Sequence, residues 1–273
     1  MEKSISTKPK VYTTHEFEYR RMAAKGIDSW NARQGLPAIE PCVERFLLDV
    51  LDDYRSPRSG AVLEVGCGTG PLVRWFAGRG FRGTGVDISP SAIRLARQAA
   101  ARRAADCQAT GSATGTNTKT NAKKVTYHVG DATNMAMFHD QSFNIVVDGL
   151  CLHCLTSPHD RAAYVAEVAR VLRPGGIFIV HTMTAPVLRA AWPAAYGVLK
   201  NQTVYVPSCA SQEYEGAVQI RGQWHMPTRR MEHWKAILAL LQQHGLHAFQ
   251  HRLAYCSTKE PNSTLSVAAQ KPS

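Results

Sequence analysis

No run of about 18 apolar residues occurs in the chain, so no segment is long and apolar enough to be read as a membrane-spanning helix. Residues 1–10 lack the apolar stretch of a secretory leader. The seven cysteines are odd in number and irregularly spaced, which argues against a disulfide framework. Reduced thiols in a cytoplasmic protein are the expectation. Cys151, His153 and Cys154 fall close together, but no second Cys/His pair stands at zinc-finger spacing, and no metal is expected. Acidic side chains are scarce: 21 Asp and Glu face 32 Lys and Arg, a net charge of +11. Such a balance raises the question of nucleic acid. Its placement answers against it: Lys3, Lys8 and Lys10 sit in the tail, Arg94, Arg97, Arg102 and Arg103 on one predicted helix, and Lys119, Lys123 and Lys124 around a polar insertion. No aromatic residues interleave with them, so most of the charge reads as solvated surface.

Apolar residues are plentiful, 44% of 273, enough for the core of one α/β domain. The stretch that organises the chain is Ala61-Val62-Leu63-Glu64-Val65-Gly66-Cys67-Gly68-Thr69-Gly70. It starts as a buried strand, turns on three glycines spaced by two, and leads into the apolar-periodic helix Leu72 to Ala77. Glycine there lets the backbone take positive φ and lets a ligand approach closely. A dinucleotide fingerprint would read G-x-G-x-x-G. Here the pattern is G-x-G-x-G with the acidic Glu64 two residues upstream, which disfavours a pyrophosphate and favours a cationic ligand. A second strand, Gly83 to Ile88, ends at Asp87, near the roughly 20-residue offset at which an acid holds a ribose. A ribose together with a positive charge suggests S-adenosylmethionine.

Four blocks in order, Glu64 to Gly70, Gly85-Val86-Asp87-Ile88-Ser89, Gly130-Asp131-Ala132 and Leu172-Arg173-Pro174-Gly175-Gly176, resemble the class I S-adenosylmethionine-dependent methyltransferases. The resemblance implies a doubly wound, mostly parallel seven-stranded sheet with helices on both faces, closed by an antiparallel hairpin. Sequence pattern alone reaches only a doubly wound α/β sheet. Residues 1–12 are expected as a flexible tail and 13–273 as one domain. Within it, 13–55 would form a helical cap, 105–124 a disordered surface insertion, and 184–230 an irregular substrate lid. Strands are predicted at 61–66, 82–87, 125–129, 143–147, 177–181, 248–256 and 263–269. Helices are predicted at 14–33, 39–51, 71–79, from Ser89-Pro90 to about Ala104, at 158–172 and at 231–244.

In open α/β sheets the ligand lies beyond the carboxyl ends of the strands. The resemblance implies a cofactor site of Glu64, Gly66, Cys67, Gly68, Gly70, Asp87, Ile88, Asp131, Ala132 and Asp148. Gly66, Gly68 and Gly70 would admit its methionine part, Glu64 its ammonium, Asp87 the ribose and Asp131 the adenine amino group. His153 matches the family's Leu-His pair after strand four. Two roles stay open for it: general base or orienting group, and packed histidine bonded to a carbonyl. Trp30, Cys151, Trp224 and His225 are candidate substrate contacts, the last two within Arg221 to Arg230, a stretch read as a substrate wall. Thr228 is read as the cap of the last helix, and Tyr19, Trp192 and Tyr196 as packing residues.

The function expected is methyl transfer to a nucleophilic O, N or S atom of a small molecule by in-line displacement. An RNA methyltransferase is the alternative that the charge favours, although Asp148-Gly149-Leu150-Cys151 is not the Asn-Pro-Pro-Tyr-like motif used on bases. A non-catalytic cofactor-binding subunit is a third reading, against which the unbroken glycine loop speaks.

Overall fold

The computed structural model describes residues 8–27, 29–53, 55–109, 125–185, 197–208, 211–255 and 263–273. Within its main sheet, β1 (Ala61–Val65) is buried along its whole length. Beside it on one side run β2 (Arg82–Asp87) and β3 (Val125–Val129), and on the other β4 (Phe143–Gly149) and β5 (Leu172–Thr184). All of these pair in parallel. The hairpin β10 (His247–Tyr255) and β11 (Ser263–Gln270) adds antiparallel through β11 to β5, giving the order β10-β11-β5-β4-β1-β2-β3. The direction of winding reverses between β1 and β4, which puts the ligand crevice at their carboxyl ends.

Side chains alternate along β1, so the two faces of the sheet carry separate cores. Leu63 and Val65 meet Tyr164, Val165 and Val168 of α6 (Pro158–Val171) and Ile237 and Leu241 of α7 (Trp234–Gln243). Val62 faces Trp75 and Phe76 of α4 (Pro71–Ala77) and Phe46, Leu47 and Val50 of α3 (Pro41–Asp52). The segment containing α3 was expected in a cap. Its apolar stripe instead covers the sheet, because Phe46, Leu47 and Val50 recur at helical spacing and bury almost completely.

The segment above the glycine loop is α1 (His15–Ala24), followed by the single turn α2 (Trp30–Arg33). Gly26 at φ 67° ends α1, so 14–33 is two helices rather than one. Tyr19 and Met22 pack on Ala92 and Leu95 of α5 (Pro90–Ala109). Ser89 precedes α5 with its hydroxyl accepting from Ala92 N–H at 3.0 Å. That helix runs past the predicted end at Ala104; of the expected insertion, residues 110–124 lie outside the described residues.

Residues after β5 were expected to be irregular. Among those described, they form a second antiparallel sheet of β6 (Val198–Lys200), β7 (Thr203–Pro207), β8 (Val218–Ile220) and β9 (Gln223–Arg230), in the order β6-β7-β9-β8. Two hairpins make it. Asn201 and Gln202 join β6 to β7 with φ of 49° and 62°, and Arg221 and Gly222 join β8 to β9 with φ of 50° and 78°. Two consecutive positive φ values match the right-handed twist of paired strands. Thr228 is therefore a strand residue, and the cap of α7 is His233, whose Nδ1 accepts from Lys235 N–H at 3.2 Å. Residues 186–196, with Trp192 and Tyr196, lie outside the described residues.

Candidate active site

The loop leaving β1 holds Gly66, Gly68 and Gly70 at φ of 64°, 51° and 69°. Glycine is required at Gly66 and Gly68 on two counts, since a Cβ there would be strained and would have nowhere to go. At Gly66 it would fall 2.6 Å from the Cys151 side chain, and at Gly68 it would strike the Tyr19 hydroxyl. Strand four's exit and α1 thus close over the loop.

Asp87, at the end of β2, fastens it. One carboxylate oxygen accepts from Gly68 N–H at 2.8 Å and the other from Ser89 N–H at 2.9 Å. Each oxygen keeps a further lone pair for a ligand hydroxyl. Burial pushes this carboxyl up from its ordinary value. Glu64, almost wholly buried on β1, accepts from Val73 N–H at 2.9 Å. Loss of water around it pushes its pKa up to about 8, only partly offset by that hydrogen bond and by Arg74. A cation placed beside it would favour the charged form and draw that proton off.

Asp131, after β3, accepts from Thr133 N–H and its hydroxyl at 2.8 Å on one oxygen, and from the Tyr12 hydroxyl at 3.1 Å on the other. Ala132 and Ile88 are half-buried beside it and beside Asp87 respectively. Two members of the expected cofactor set face elsewhere. The Cys67 thiol is packed with Val73, Ile93 and Tyr127, and its N–H donates to Val86 O at 3.0 Å. Asp148 is fully buried and accepts from Cys151 N–H at 2.6 Å, Leu152 N–H at 2.9 Å and the Tyr164 hydroxyl at 2.7 Å. Its carboxylate shapes the turn that carries His153.

That turn, Leu152–Cys154, is one turn of 3-10 helix. His153 is buried, with Nε2 lying 3.6 Å from the Cys154 thiol and Nδ1 without a partner among the described residues. Burial first, then the positive charges of Arg229 and its neighbours, holds its pKa well below the ordinary histidine value. Arg161 of α6 steadies the turn from below, donating to Leu152 O at 2.7 Å and pairing with Glu232 at 3.0 Å. His181 on β5 shares its Nδ1 with the Ser266 hydroxyl at 2.8 Å, and burial pushes its pKa down to about 4.

The substrate candidates divide. Cys151 covers Gly66 within the site. Trp30 lies edge-on to the rings of Tyr19 and His15, at 5.9 and 6.0 Å, in the layer above the loop. Trp224 lies on β9 in the second sheet, paired with Gln219. His225 is buried there with Nδ1 against Gln223 O at 2.9 Å. Sequence reasoning did not single out Tyr12, Glu16, His15 or Arg161. Glu16 fixes α1 across the site, accepting from the Ser89 hydroxyl at 2.6 Å, Ser91 N–H at 3.0 Å and the Ser91 hydroxyl at 2.9 Å. Burial pushes its carboxyl up, and those bonds outweigh it, holding the pKa at about 2. No local pattern marks these residues, because their partners are distant in sequence.

A family profile described as a methyltransferase domain matches residues 63–180. The ubiquinone biosynthesis O-methyltransferase of Thiobacillus denitrificans is 31% identical over 48% of this chain and 48% of its own length. The chain thus spans about half the length of that curated relative. A methyltransferase structure from Methanosarcina mazei superposes with a TM-score of 0.61 at 21% identity, covering 86% of this chain and 98% of that one. The N1-methyltransferase of Burkholderia thailandensis, bound to 1,6-didemethyltoxoflavin and S-adenosylhomocysteine, gives 0.59 at 15% identity, with 100% and 94% covered. These two likenesses are of fold. With the glycine loop and the strand-end acids, residues 63–180 match a methyltransferase domain, and the fold is that of the two methyltransferase structures.

Proposed function

We propose that the protein transfers a methyl group from S-adenosylmethionine to a nucleophilic O, N or S atom of a small molecule. The observation that carries this reading is the cradle at the end of β1: two glycines with no room for a Cβ, and a buried Glu64 whose proton is held up to about pH 8. The residues fit the cofactor. Gly66 and Gly68 would admit its methionine part, Glu64 its ammonium, Asp87 the ribose hydroxyls and Asp131 the adenine amino group. When bound, the cofactor supplies an electrophilic methyl on a sulfonium: the bond to the acceptor forms as the carbon–sulfur bond breaks, its electron pair staying on sulfur.

The chain's own part is to position and to exclude water. Tyr19 roofs the loop with Trp30 packed against it, and Cys151 closes its side. The buried Nδ1 of His153, without a partner among the described residues, is a polar atom that an acceptor's hydroxyl could satisfy. Because burial and positive neighbours disfavour its charged form, His153 orients the acceptor better than it removes a proton. We also propose a cytoplasmic location, supported by the free thiols of Cys67, Cys151 and Cys154. No helix among the described residues is long and apolar enough to cross a membrane.

The reading is tested by offering the full chain labelled S-adenosylmethionine with a metabolite extract in one arm and total RNA in the other. Label in small molecules supports it. Label in RNA alone overturns it in favour of the nucleic-acid reading that the +11 charge allows. Cofactor binding with no transfer in either arm leaves a non-catalytic subunit.

A further inference from the structure

Strand β9 lies against both 3-10 turns of the site, Val11–Thr14 and Leu152–Cys154. Its pairing with β7 is broken by a bulge: Val204 faces Arg229 and Tyr205 faces Pro227, leaving Thr228 extra. The bulge interrupts the alternation that buries His225 and Pro227, and Arg229 is exposed. Bulges re-aim side chains in this way. The charge of Arg229 bears on His153, on Cys154 and on His15 across the site.

The other cations of this wall are neutralised. Arg161 pairs with Glu232 at 3.0 Å, Arg230 with the same carboxylate at 2.5 Å, and Lys10 with Asp160 and Glu215 at 3.1 and 2.8 Å. Arg229 has no carboxylate within ion-pairing distance among the described residues. After burial, the largest influences on His153 are the positive charges of Arg229, His15, Arg161 and His181. A histidine so placed is a poor proton acceptor, so a neutral hydroxyl arriving here would find no efficient base. An acceptor that brings its own negative charge needs none, and would find a guanidinium fork with no carboxylate partner among the described residues.

We propose that the small-molecule substrate carries an anionic oxygen, a carboxylate or an ionised hydroxyl, and that Arg229 binds it. The proposal rests on the small-molecule reading above and adds the substrate's charge to it. Four probes separate the sources of the anion: benzoate against its neutral isostere benzamide, and para-nitrophenol against phenol at a pH where only the former is ionised. Each is titrated into the full chain saturated with S-adenosylhomocysteine, for wild type, Arg229→Gln and Arg229→Lys.

Wild type should prefer the anion of at least one pair by about tenfold or more, the size of a hydrogen bond to a charged partner. Arg229→Gln should lose that preference, Arg229→Lys should keep part of it, and both should bind S-adenosylhomocysteine as wild type does. A preference only in the first pair identifies a carboxylate, and only in the second an ionised hydroxyl. Equal binding of anion and neutral form, a preference that survives in Arg229→Gln, or no binding of any probe overturns the proposal. If wild type fails to bind S-adenosylhomocysteine, the titrations are repeated without it. An Arg229-dependent preference found then would sink the cofactor reading and leave this one standing.

Discussion

Glu64 stands in a strand whose other four residues are apolar, and its carboxyl keeps its proton up to about pH 8. An unfolded glutamate releases that proton near ~4.3. Between those values the native state binds more protons than the unfolded one, so this group makes stability fall as pH rises through the window. Asp148, pushed up to about 6 by burial, acts in the same sense, so only a variant isolates Glu64. Glu64→Gln should flatten the fall in denaturation midpoint between about pH 5 and 8; an unchanged slope contradicts the buried acid. A cationic ligand would draw the same proton off. Cofactor binding near neutral pH should therefore release a proton, read by calorimetry in buffers of different ionisation heat. For His153 the expected profile is negative: no step in rate near pH 6.5, because its charged form is disfavoured well below the ordinary value. His153→Asn should lower kcat by less than about 10², short of most general-base losses. A wild-type rate that climbs through pH 6.5, with the climb lost in the variant, would restore the base.

Elements whose cues are local were legible in the sequence. Strand β1 announces itself by an apolar run, its loop by alternating glycines, and α5 by Ser89 before Pro90. The second sheet was not legible. Its two-residue turns, Asn201-Gln202 and Arg221-Gly222, lack the Asn-Gly pairing that usually marks such hairpins. The strands themselves are short, three to eight residues. Thr228 looked like a helix cap because threonine favours both caps and strands. One buried ion network ties these elements together: Arg161 on α6 meets Glu232 just beyond β9 while holding Leu152 O in the His153 turn. Arg161→Ala leaves Glu232 half-neutralised and that carbonyl open. It should cost about 3–5 kcal/mol, as removal of one partner from a buried pair does. Thermal denaturation with a loss under about 1 kcal/mol, the range of exposed pairs, would show the network to be solvated.

At the scale of the molecule, the acids at the carboxyl ends of β1, β2 and β3 were readable because topology alone brings strand ends together. The meeting of Glu16 and Arg229 at the site was not, since α1 and β9 reach it from opposite ends of the chain and no spacing encodes that. The seven-stranded order β10-β11-β5-β4-β1-β2-β3 places the glycine loop at the reversal of winding, and α1 roofs it through Tyr19 and Glu16. Ligand binding should accordingly slow amide exchange in residues 15–24 as well as in 66–70. Protection confined to the loop would mean that α1 is a neighbour and not a roof. The most direct measurement of the central claim is calorimetric titration of S-adenosylhomocysteine and NADH into wild type, Gly68→Val and Asp87→Asn, with near-ultraviolet circular dichroism to verify folding. Wild type should bind S-adenosylhomocysteine and not NADH, Gly68→Val should bind neither, and Asp87→Asn should bind more weakly by about 1.5–3 kcal/mol. Tight NADH binding, or S-adenosylhomocysteine affinity unchanged in both folded variants, would contradict the account.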